Sequence, residues 1–595
     1  MTKKAIILTV FVNFHFLLFG QVQQDTAKEK LINKIQNARV SHALMDAIKS
    51  NPDPGTTTRS EDAFMPYNGK IIRYINVNHI GFDKTMYDTT RNVKNTIIRI
   101  GNALHSTTKP WVIRNNLFLR EGKPLNPYKV ADNERYLRDL NFMLDAKIIV
   151  TPVSDDSVDL TVVTRDIFSL GGTLSPYTTT HYYFSLYDTN LAGFGQRLQG
   201  NGLIDNTRNP TFGPELLYSM YSLGGSLVNL SAGYTTLNTG SSYGEENEYA
   251  SYLRLNRPLV SPYTRLAGGL ELSVNKSQNV SLRSDFLSYR YTVSDFWIGY
   301  NVGIYNQVKN RNRHFVSIRT FNQTFLNRPT QPIENLNPIY NSQTYVLAQV
   351  TFFIQNYYKT RYIDGFGRTE DIPYGNNLSL IAGWSSQLNS NRTVLGVDFD
   401  RTIVQKKGDF YQFSFRGEAF NNRKHLEDIS FLLSASLYSR LYVTKHFKIR
   451  QSLSSSYTCI IRPTFNQLLK INNDFGVSGI SADSLKGTQR FSVHAQTVVF
   501  TNWKLIGFNF APIVFGDLAF LSQQKQHVFY NEPYYAIGAG IRTRNENLVF
   551  GTIELKGTYY PRVESGTHFK ISVSTNLRIK YTGTLVKAPS FITYN

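Results

Sequence analysis

Residues 265–278 read RLAGGLELSVNKSQ, and apolar side chains alternate with polar ones through most of this stretch. Alternation puts successive side chains on opposite faces of an extended chain, so the stretch predicts a β-strand with one apolar and one polar face. Segments of about ten residues with the same alternation recur from residue 167 to the end. Examples are HYYFSLYDTN (181–190), SLVNLSAGYTTL (226–237) and HFKIRQSLSSSYT (446–458). Clusters of Asn, Asp, Gly, Ser and Pro separate the segments, and no helical pattern interrupts them.

Two kinds of protein carry this recurring alternation, a transmembrane β-barrel and a soluble β-sandwich or solenoid. Aromatic residues at strand ends, as in Tyr182–Phe184 and Tyr559–Tyr560, favour the barrel. Beyond the first twenty residues, no uncharged apolar run reaches about eighteen residues, so membrane segments would have to be strands. We therefore predict a transmembrane antiparallel β-barrel over residues 167–595.

The start of the chain predicts export. Lys3 and Lys4 precede an apolar run through Phe19, followed by Gly20. This order is typical of a secretory signal peptide, which we assign to residues 1–20. No cysteine follows it, so a lipoprotein is not expected. Residues 21–69 should form a tether. Within it, residues 25–50 have the spacing of an amphipathic helix, or alternatively serve as a basic spacer. NPDPGTTTRSED (51–62) breaks regular structure and should be a linker.

Between the tether and the barrel the pattern changes to a mixture of helix and strand. KIIRYINVNHIGF (70–82) predicts a strand, WVIRNNLF (111–118) a short helix, and YKVADNERYLRDLNFML (128–144) an amphipathic helix. DAKIIVTPV (145–153) and SVDLTVVTRD (157–166) predict two more strands. The order strand, helix, helix, strand, strand predicts a compact α+β module over residues 70–166.

Charge and side-chain chemistry exclude several functions. The net charge is +21, but the basic residues are scattered and form no recognition helix, so nucleic acid is not an expected partner. The one cysteine, Cys459, lies in an alternating segment, which predicts a packed side chain. No H-E-x-x-H, H-x-x-x-H or G-x-S-x-G spacing occurs, so we expect neither an enzyme nor a bound metal or cofactor, and an outer-membrane lipase or protease barrel lacks support. Glu370–Asp371 form either a charged turn or a grip for a cation or partner.

These features together resemble the BamA and TamA superfamily of outer-membrane barrels that insert or translocate proteins. The 70–166 module resembles that family's POTRA domain in element order, in EGKPLNPYKVADNERYLRDLNF (121–142) and in the final VVTRD (162–166). The barrel entry, FSLGGTLS (168–175), is followed by SLYDTNLAGFGQRL (185–198), which is similar to the family's D-x-N-x-x-G-x-G turn. RLNRPLVSPYTRLAGGLEL (254–272) resembles its mid-barrel segment.

The resemblance also extends to a surface loop, VSGISADSLKGTQRF (477–491). In the family, the sixth surface loop folds back into the barrel and ends in a V/I-R-G-F/Y tip whose Arg meets acidic residues of the inner wall. The matching tip residues here are Val477, Ser478, Gly479 and Ile480. The matching wall residues are Gln496, where the family has an acid, and Asp517, which is retained. The tip Arg and one of its acidic partners are both absent here, which predicts a neutral hydrogen-bonded contact between tip and wall or, alternatively, an ordinary flexible loop.

By this resemblance, the protein is an outer-membrane insertion or translocation factor with a periplasmic N-terminal domain. Its implied partners are unfolded outer-membrane or secreted client proteins, the lipid bilayer and accessory periplasmic proteins. Departures from the family leave a pore or structural barrel with a vestigial POTRA domain as the alternative. Only one POTRA-like module is visible, and eighteen to twenty strand segments are counted where the family has sixteen. Five segments follow the loop, so the extra strands should precede it. TGTLVKAPSFITYN (582–595) runs on beyond the expected closing strand.

Overall fold

A computed structural model of the chain describes most residues from 58 onwards. The described residues are 58–80, 106–178, 181–238, 247–280, 288–302, 311–329, 340–363, 365–465, 468–472, 475–480, 485–505, 508–522, 527–545, 552–563, 567–577 and 586–592. The predicted signal peptide, the alternative helix of the tether and the tether up to residue 57 lie outside them.

The module consists of a three-stranded sheet and two helices in the predicted order. The elements are β1 (Ile71–Ile80), α1 (Pro110–Asn115), α2 (Pro127–Asp139), β2 (Met143–Pro152) and β3 (Ser157–Asp166). The central strand β3 is parallel to β1 and antiparallel to β2. Helix α2 begins where it does because the Asn126 side chain accepts a hydrogen bond from the Lys129 amide (3.1 Å) and Pro127 occupies the first turn.

The rest of the chain forms a closed antiparallel β-barrel, as the alternation predicts. Its 23-stranded sheet contains, among the described residues, twenty long strands and three of two residues. The long strands are β4 (Leu170–Thr178), β5 (His181–Asp188), β6 (Gln196–Asp205), β7 (Phe212–Met220), β8 (Asn229–Asn238), β9 (Asn247–Arg257), β10 (Leu266–Gln278), β11 (Arg290–Val302), β12 (Arg313–Asn327), β13 (Gln343–Thr360), β14 (Glu370–Gln387), β15 (Ser390–Val404), β16 (Phe410–Asn422), β17 (His425–Tyr438), β18 (Phe447–Ile461), β19 (Gln489–Thr501), β20 (Phe508–Ser522), β21 (Tyr534–Arg544), β22 (Thr552–Tyr559) and β23 (Phe569–Leu577). Consecutive strands are neighbours, and β23 lies beside β4, so the sheet closes on itself.

The two faces of the barrel differ as the alternation requires. On β12, Phe315 points inward and is fully buried, whereas the next residue, Val316, is 48% exposed on the outside. The same outward apolar set continues on β23 with Phe569, Ile571 and Val573. An apolar outer band around a closed sheet is the surface that a bilayer covers, because pairing between strands satisfies backbone groups that lipid cannot.

Within the described ranges, every helix is too short or too polar to cross a membrane.

The module packs directly against the turns at one end of the barrel, here named the module end. Leu227, in the turn between β7 and β8, and Val260, in the turn between β9 and β10, belong to the same hydrophobic core as the module residues Val130 and Leu137. The Ser261 hydroxyl donates to the buried Asp132 carboxylate of α2 (2.6 Å). Barrel turns therefore complete the core of the module, and the opposite end, named the far end, carries the 462–488 loop.

Candidate functional site

Four charged side chains join the module to the barrel. Arg138 of α2 binds Asp371, at the start of β14, through a two-pronged contact with N–O distances of 2.7–3.0 Å. The same guanidinium donates to Glu134, one helical turn earlier (2.6 Å), and Glu134 also accepts from Lys359 at the end of β13. Glu134 and Arg138 are buried and the Asp371 side chain is only 9% exposed, so this junction network is largely shielded from water. Charge-assisted pairs in such surroundings are strong and demanding in their geometry.

The charge state of the junction network follows from its composition. Burial raises the pKa of Glu134, but the nearby positive charges of Arg138 and Lys359 outweigh burial and hold that pKa below its ordinary value. Burial lowers the pKa of Arg138, but Asp371 and Glu134 raise it further than burial lowers it. Both groups are therefore charged at neutral pH, and the network is a set of ion pairs rather than of neutral hydrogen bonds.

The same two helix residues also cover the free edge of the module's sheet at β2. The second oxygen of Glu134 accepts a hydrogen bond from the Ile148 amide (2.9 Å), and Arg138 donates to the Ala146 carbonyl (3.0 Å). Beyond Ile148 the strand is more open, and Ile149 is exposed. An added strand pairing along all of β2 would have to displace Glu134 and Arg138 from the edge, and these are the residues that hold the barrel.

The other edge of the sheet, at β1, is also partly covered. The Ile75 amide donates to Glu121 (2.8 Å), and its carbonyl accepts from Arg114 (2.9 Å). Ile72 exchanges backbone hydrogen bonds with the loop at Gly122 and Lys123. Among the described residues, the side chains that cover β2 are the ones that also contact the barrel.

Glu370 and Asp371, which the sequence singled out as a charged turn or a grip, have separate tasks. Glu370 accepts hydrogen bonds from the amides of Ile363 and Gly365 (both 2.8 Å) and so closes the turn before β14. Asp371 holds Arg138 of the module. The pair therefore grips another part of the same chain. Over the described part of the chain, no group of three or more His, Cys, Asp or Glu residues could hold a metal ion.

At the far end, the loop containing the predicted tip enters the barrel. Val477 and Ile480 are 0% and 3% exposed, and they pack against inward-facing side chains of β17, β18, β20 and β21. The Val477 amide donates to the Ile471 carbonyl (2.7 Å), which folds the loop back on itself. Ser478 and Gly479, between the two buried residues, are exposed. The loop thus uses its apolar residues to fill the far end of the lumen.

The tip contacts differ from those that the resemblance implied. The Tyr560 hydroxyl donates to the Ser478 carbonyl (3.0 Å), and Gly479, at φ +82°, lies so close that an added Cβ would be 2.7 Å from that hydroxyl. Asp517 lies on the inner wall with His494 as its partner (2.8 Å). Gln496 sits on β19 opposite Phe515 of β20. The hydrogen bond at Ser478 is neutral and is made by Tyr560, not by Gln496 or Asp517.

Two wall residues that the sequence reasoning missed hold the base of the loop. The buried Asp428 carboxylate accepts hydrogen bonds from the amides of Thr464 and Phe465 (2.6 and 3.1 Å) and pairs with Arg392 (2.6 Å). Arg490, fully buried at the start of β19, donates to the Lys470 carbonyl (2.5 Å). The available signal was the presence of charged residues on the inward side of alternating strands, where burial requires a partner.

No protein-family model matches the chain, and no curated protein matches it. Among solved structures, it is similar to CdiB from Escherichia coli at 11% identity, covering 92% of this chain and 96% of that chain, with a TM-score of 0.38. It is similar to CdiB from Acinetobacter baumannii at 9% identity, covering 94% of this chain and 88% of that chain, with a TM-score of 0.37. It is also similar to BamA from Haemophilus ducreyi lacking POTRA domains 1–3, at 11% identity and with a TM-score of 0.31. That match covers 85% of this chain and 84% of that chain. Scores this low assign neither a family nor a function, so a functional proposal has to rest on contacts within this chain.

Proposed function

We propose that this protein is an outer-membrane factor that inserts or translocates other proteins, in the manner of the BamA and TamA type. The observation that carries the proposal is the double use of Glu134 and Arg138, which cover the β2 edge of the module and also bind Lys359 and Asp371 of the barrel. A passive pore has no need for a strand edge linked to its wall. The module would lie in the periplasm as a POTRA-like domain, with the apolar band of the barrel in the outer membrane.

The partner that fits the edge is an extended, unfolded polypeptide. A client strand would first pair with the open part of β2 at Val150, whose N–H and C=O face away from β3, and would then compete with Glu134 and Arg138 for the backbone groups of Ile148 and Ala146. Displacing the two side chains would loosen the junction network. Client capture would thus be coupled to movement of the module away from the barrel turns. Accessory periplasmic proteins would deliver clients to the same face.

The barrel would contribute the second step. Strands β4 and β23 meet where the sheet closes, and a client strand could pair with a separated edge at this seam. The outward side of β23 is apolar, so a client strand added beside it would enter the bilayer directly. Insertion at the seam requires no catalytic residue, which agrees with the expectation of a protein that is not an enzyme.

A specific observation favours the alternative, a pore or structural barrel with a vestigial module. Both sheet edges of the module are partly covered by side chains of the same chain, at Ile75 on β1 and at Ile148 on β2. If that cover is permanent, no client can bind by strand addition. The two functions differ in whether the cover at Ile148 can be displaced.

Depletion of the protein followed by a census of outer-membrane proteins tests the proposal. An insertion factor predicts lower amounts of several unrelated barrels or surface proteins, restored by the wild-type gene. Complementation with Val150→Pro, which removes an N–H from the free edge of β2, should restore less than Val150→Ala does. An unchanged census with altered solute uptake would support the alternative.

A further inference from the structure

A segment beyond the last strand lies inside the barrel. Val586 is buried against inward-facing residues near the module end, including Phe315 and Phe353. Phe591 packs between Tyr345 and Phe420, with ring centroids 4.8 and 5.4 Å away. Residues 586–592, named the tail, therefore run along the lumen.

The tail extends from the module end to about the middle of the lumen. Its near contact is Phe315 of β12, and its far cluster includes Phe321, six residues further along the same strand. Six steps of extended chain cover about 20 Å at roughly 3.3 Å per residue, and Val586 and Ile592 are six steps apart. The tail thus follows β12 from the module end towards the far end.

Polar groups of the wall are arranged to hold its backbone. Arg319, fixed by a two-pronged pair with Asp295 (both 2.7 Å), donates to the Pro589 carbonyl (2.9 Å). Glu418, a buried carboxylate, accepts from the Ile592 amide (3.0 Å). A donor, an aromatic slot and an acceptor therefore follow one another along the wall, in the order in which an extended peptide presents a carbonyl, a side chain and an amide.

The tail also meets the loop described above. Ile592 packs against the cluster that contains Val477 and Ile480. Loop and tail together close the far half of the lumen. None of the described tail residues pairs in a β-ladder, so the tail can leave without breaking the barrel sheet.

We propose that the inner wall of β11–β17 is a binding site for an extended peptide with an aromatic residue, and that the tail is its resident occupant. Arg319 donates a hydrogen bond to a backbone carbonyl of the peptide, and Glu418 accepts one from a backbone amide. The aromatic ring of the peptide packs between Tyr345 and Phe420. The occupied site keeps the lumen closed. Release of the tail opens the lumen and leaves the site ready for an extended segment of another polypeptide. The site does not depend on the insertion role, because it is defined by the resident tail alone.

Peptide binding tests the site. The probe is a fluorescent synthetic peptide of residues 586–592, VKAPSFI, added to purified protein in nanodiscs. A variant lacking 582–595 should bind it at least about tenfold more tightly than the full chain, whose site is filled. A peptide with Ala in place of Phe591, or a scrambled peptide of equal composition, should bind at least about tenfold more weakly. In the shortened protein, Arg319→Gln should weaken binding, whereas Arg542→Gln, a wall arginine paired with Glu554 away from the tail, should not.

Ion conductance in planar bilayers provides the second readout. The full chain should conduct poorly, the shortened variant should conduct several-fold more, and added VKAPSFI should close it again. If the shortened variant does not fold, as judged by loss of heat-modifiable gel migration, full-length Phe591→Ala replaces it and should gain peptide binding and conductance. Equal peptide binding and equal conductance in the wild type and the folded variant would overturn the proposal.

Discussion

Replacing Asp371 with Asn should undock the module from the barrel. The substitution keeps the shape of the side chain but removes the charge that faces the buried Arg138 guanidinium, which retains only Glu134 at 2.6 Å. Removing one partner of a buried ion pair costs about 3–5 kcal/mol, and the remaining partner places this case near the lower end, at about 3 kcal/mol. The equilibrium constant for opening the junction should therefore rise roughly a hundredfold.

Thiol labelling measures this opening. Leu227, a barrel-turn residue buried in the module's core, is replaced by Cys in a background in which Cys459 is replaced by Ser. A maleimide reaches residue 227 only when the module lifts away, so the labelling rate reports the opening constant. We expect roughly hundredfold faster labelling when Asp371→Asn is added.

The matched control is Asp159→Asn within the module. Asp159 forms a similar two-pronged pair with Arg73 (2.9 and 3.0 Å), but this pair is exposed and does not touch the barrel. Water screens such pairs, so the control should label at the rate of the background. An acceleration below about threefold for Asp371→Asn, or an equal one for the control, would refute the idea that the junction network holds the module.

Further predictions concern the junction and the loop. The pKa of Glu134 is lowered in the folded protein, so the stability that its charge contributes is complete at neutral pH and is lost as pH falls through that lowered value, below the ordinary 4.5. Labelling at residue 227 should therefore accelerate at that acidic pH. Glu134→Gln should remove this acid dependence. Gly479→Val should release the loop tip, because it combines a positive φ with a clash at Tyr560, and the release should appear as protease cleavage within 462–488. The control Gly224→Val also has a positive φ but no neighbouring atom to clash with, so it should leave the loop intact. Tyr560→Phe removes one neutral hydrogen bond and should weaken tip docking by about 1 kcal/mol. Asp428→Asn should expose the loop base to the same protease.

The strands and the module's element order could be predicted because their signals are local. Alternation appears within ten residues, and α2 could be recognised from the spacing of Val130 and Leu137. Its end could not, since Leu140 and Leu144 continue the helical spacing, although the helix stops at Asp139 and Leu144 already lies in β2. Apolar spacing alone does not distinguish a helix that continues from a strand that begins.

The functional contacts were less predictable because they join distant parts of the chain. Arg138 and Asp371 are 233 residues apart in sequence, and nothing near either residue identifies the other. The tip contact failed to follow the resemblance for a similar reason. Asp517 is hydrogen-bonded to His494, and the hydroxyl of Tyr560, at the end of another strand, donates to the Ser478 carbonyl. The tail was visible only as extra sequence, because its partners on β12, β13 and β16 are far from it in the sequence.

Reconstitution tests the central claim most directly. Purified protein is placed in proteoliposomes, an unfolded outer-membrane barrel protein is added from urea, and its folding is followed as the heat-modifiable, protease-resistant fraction over time. The account predicts faster folding than in protein-free liposomes, and slower folding with Val150→Pro than with Val150→Ala in the module. Equal rates with and without the protein, in liposomes where its own barrel is folded, would contradict the account.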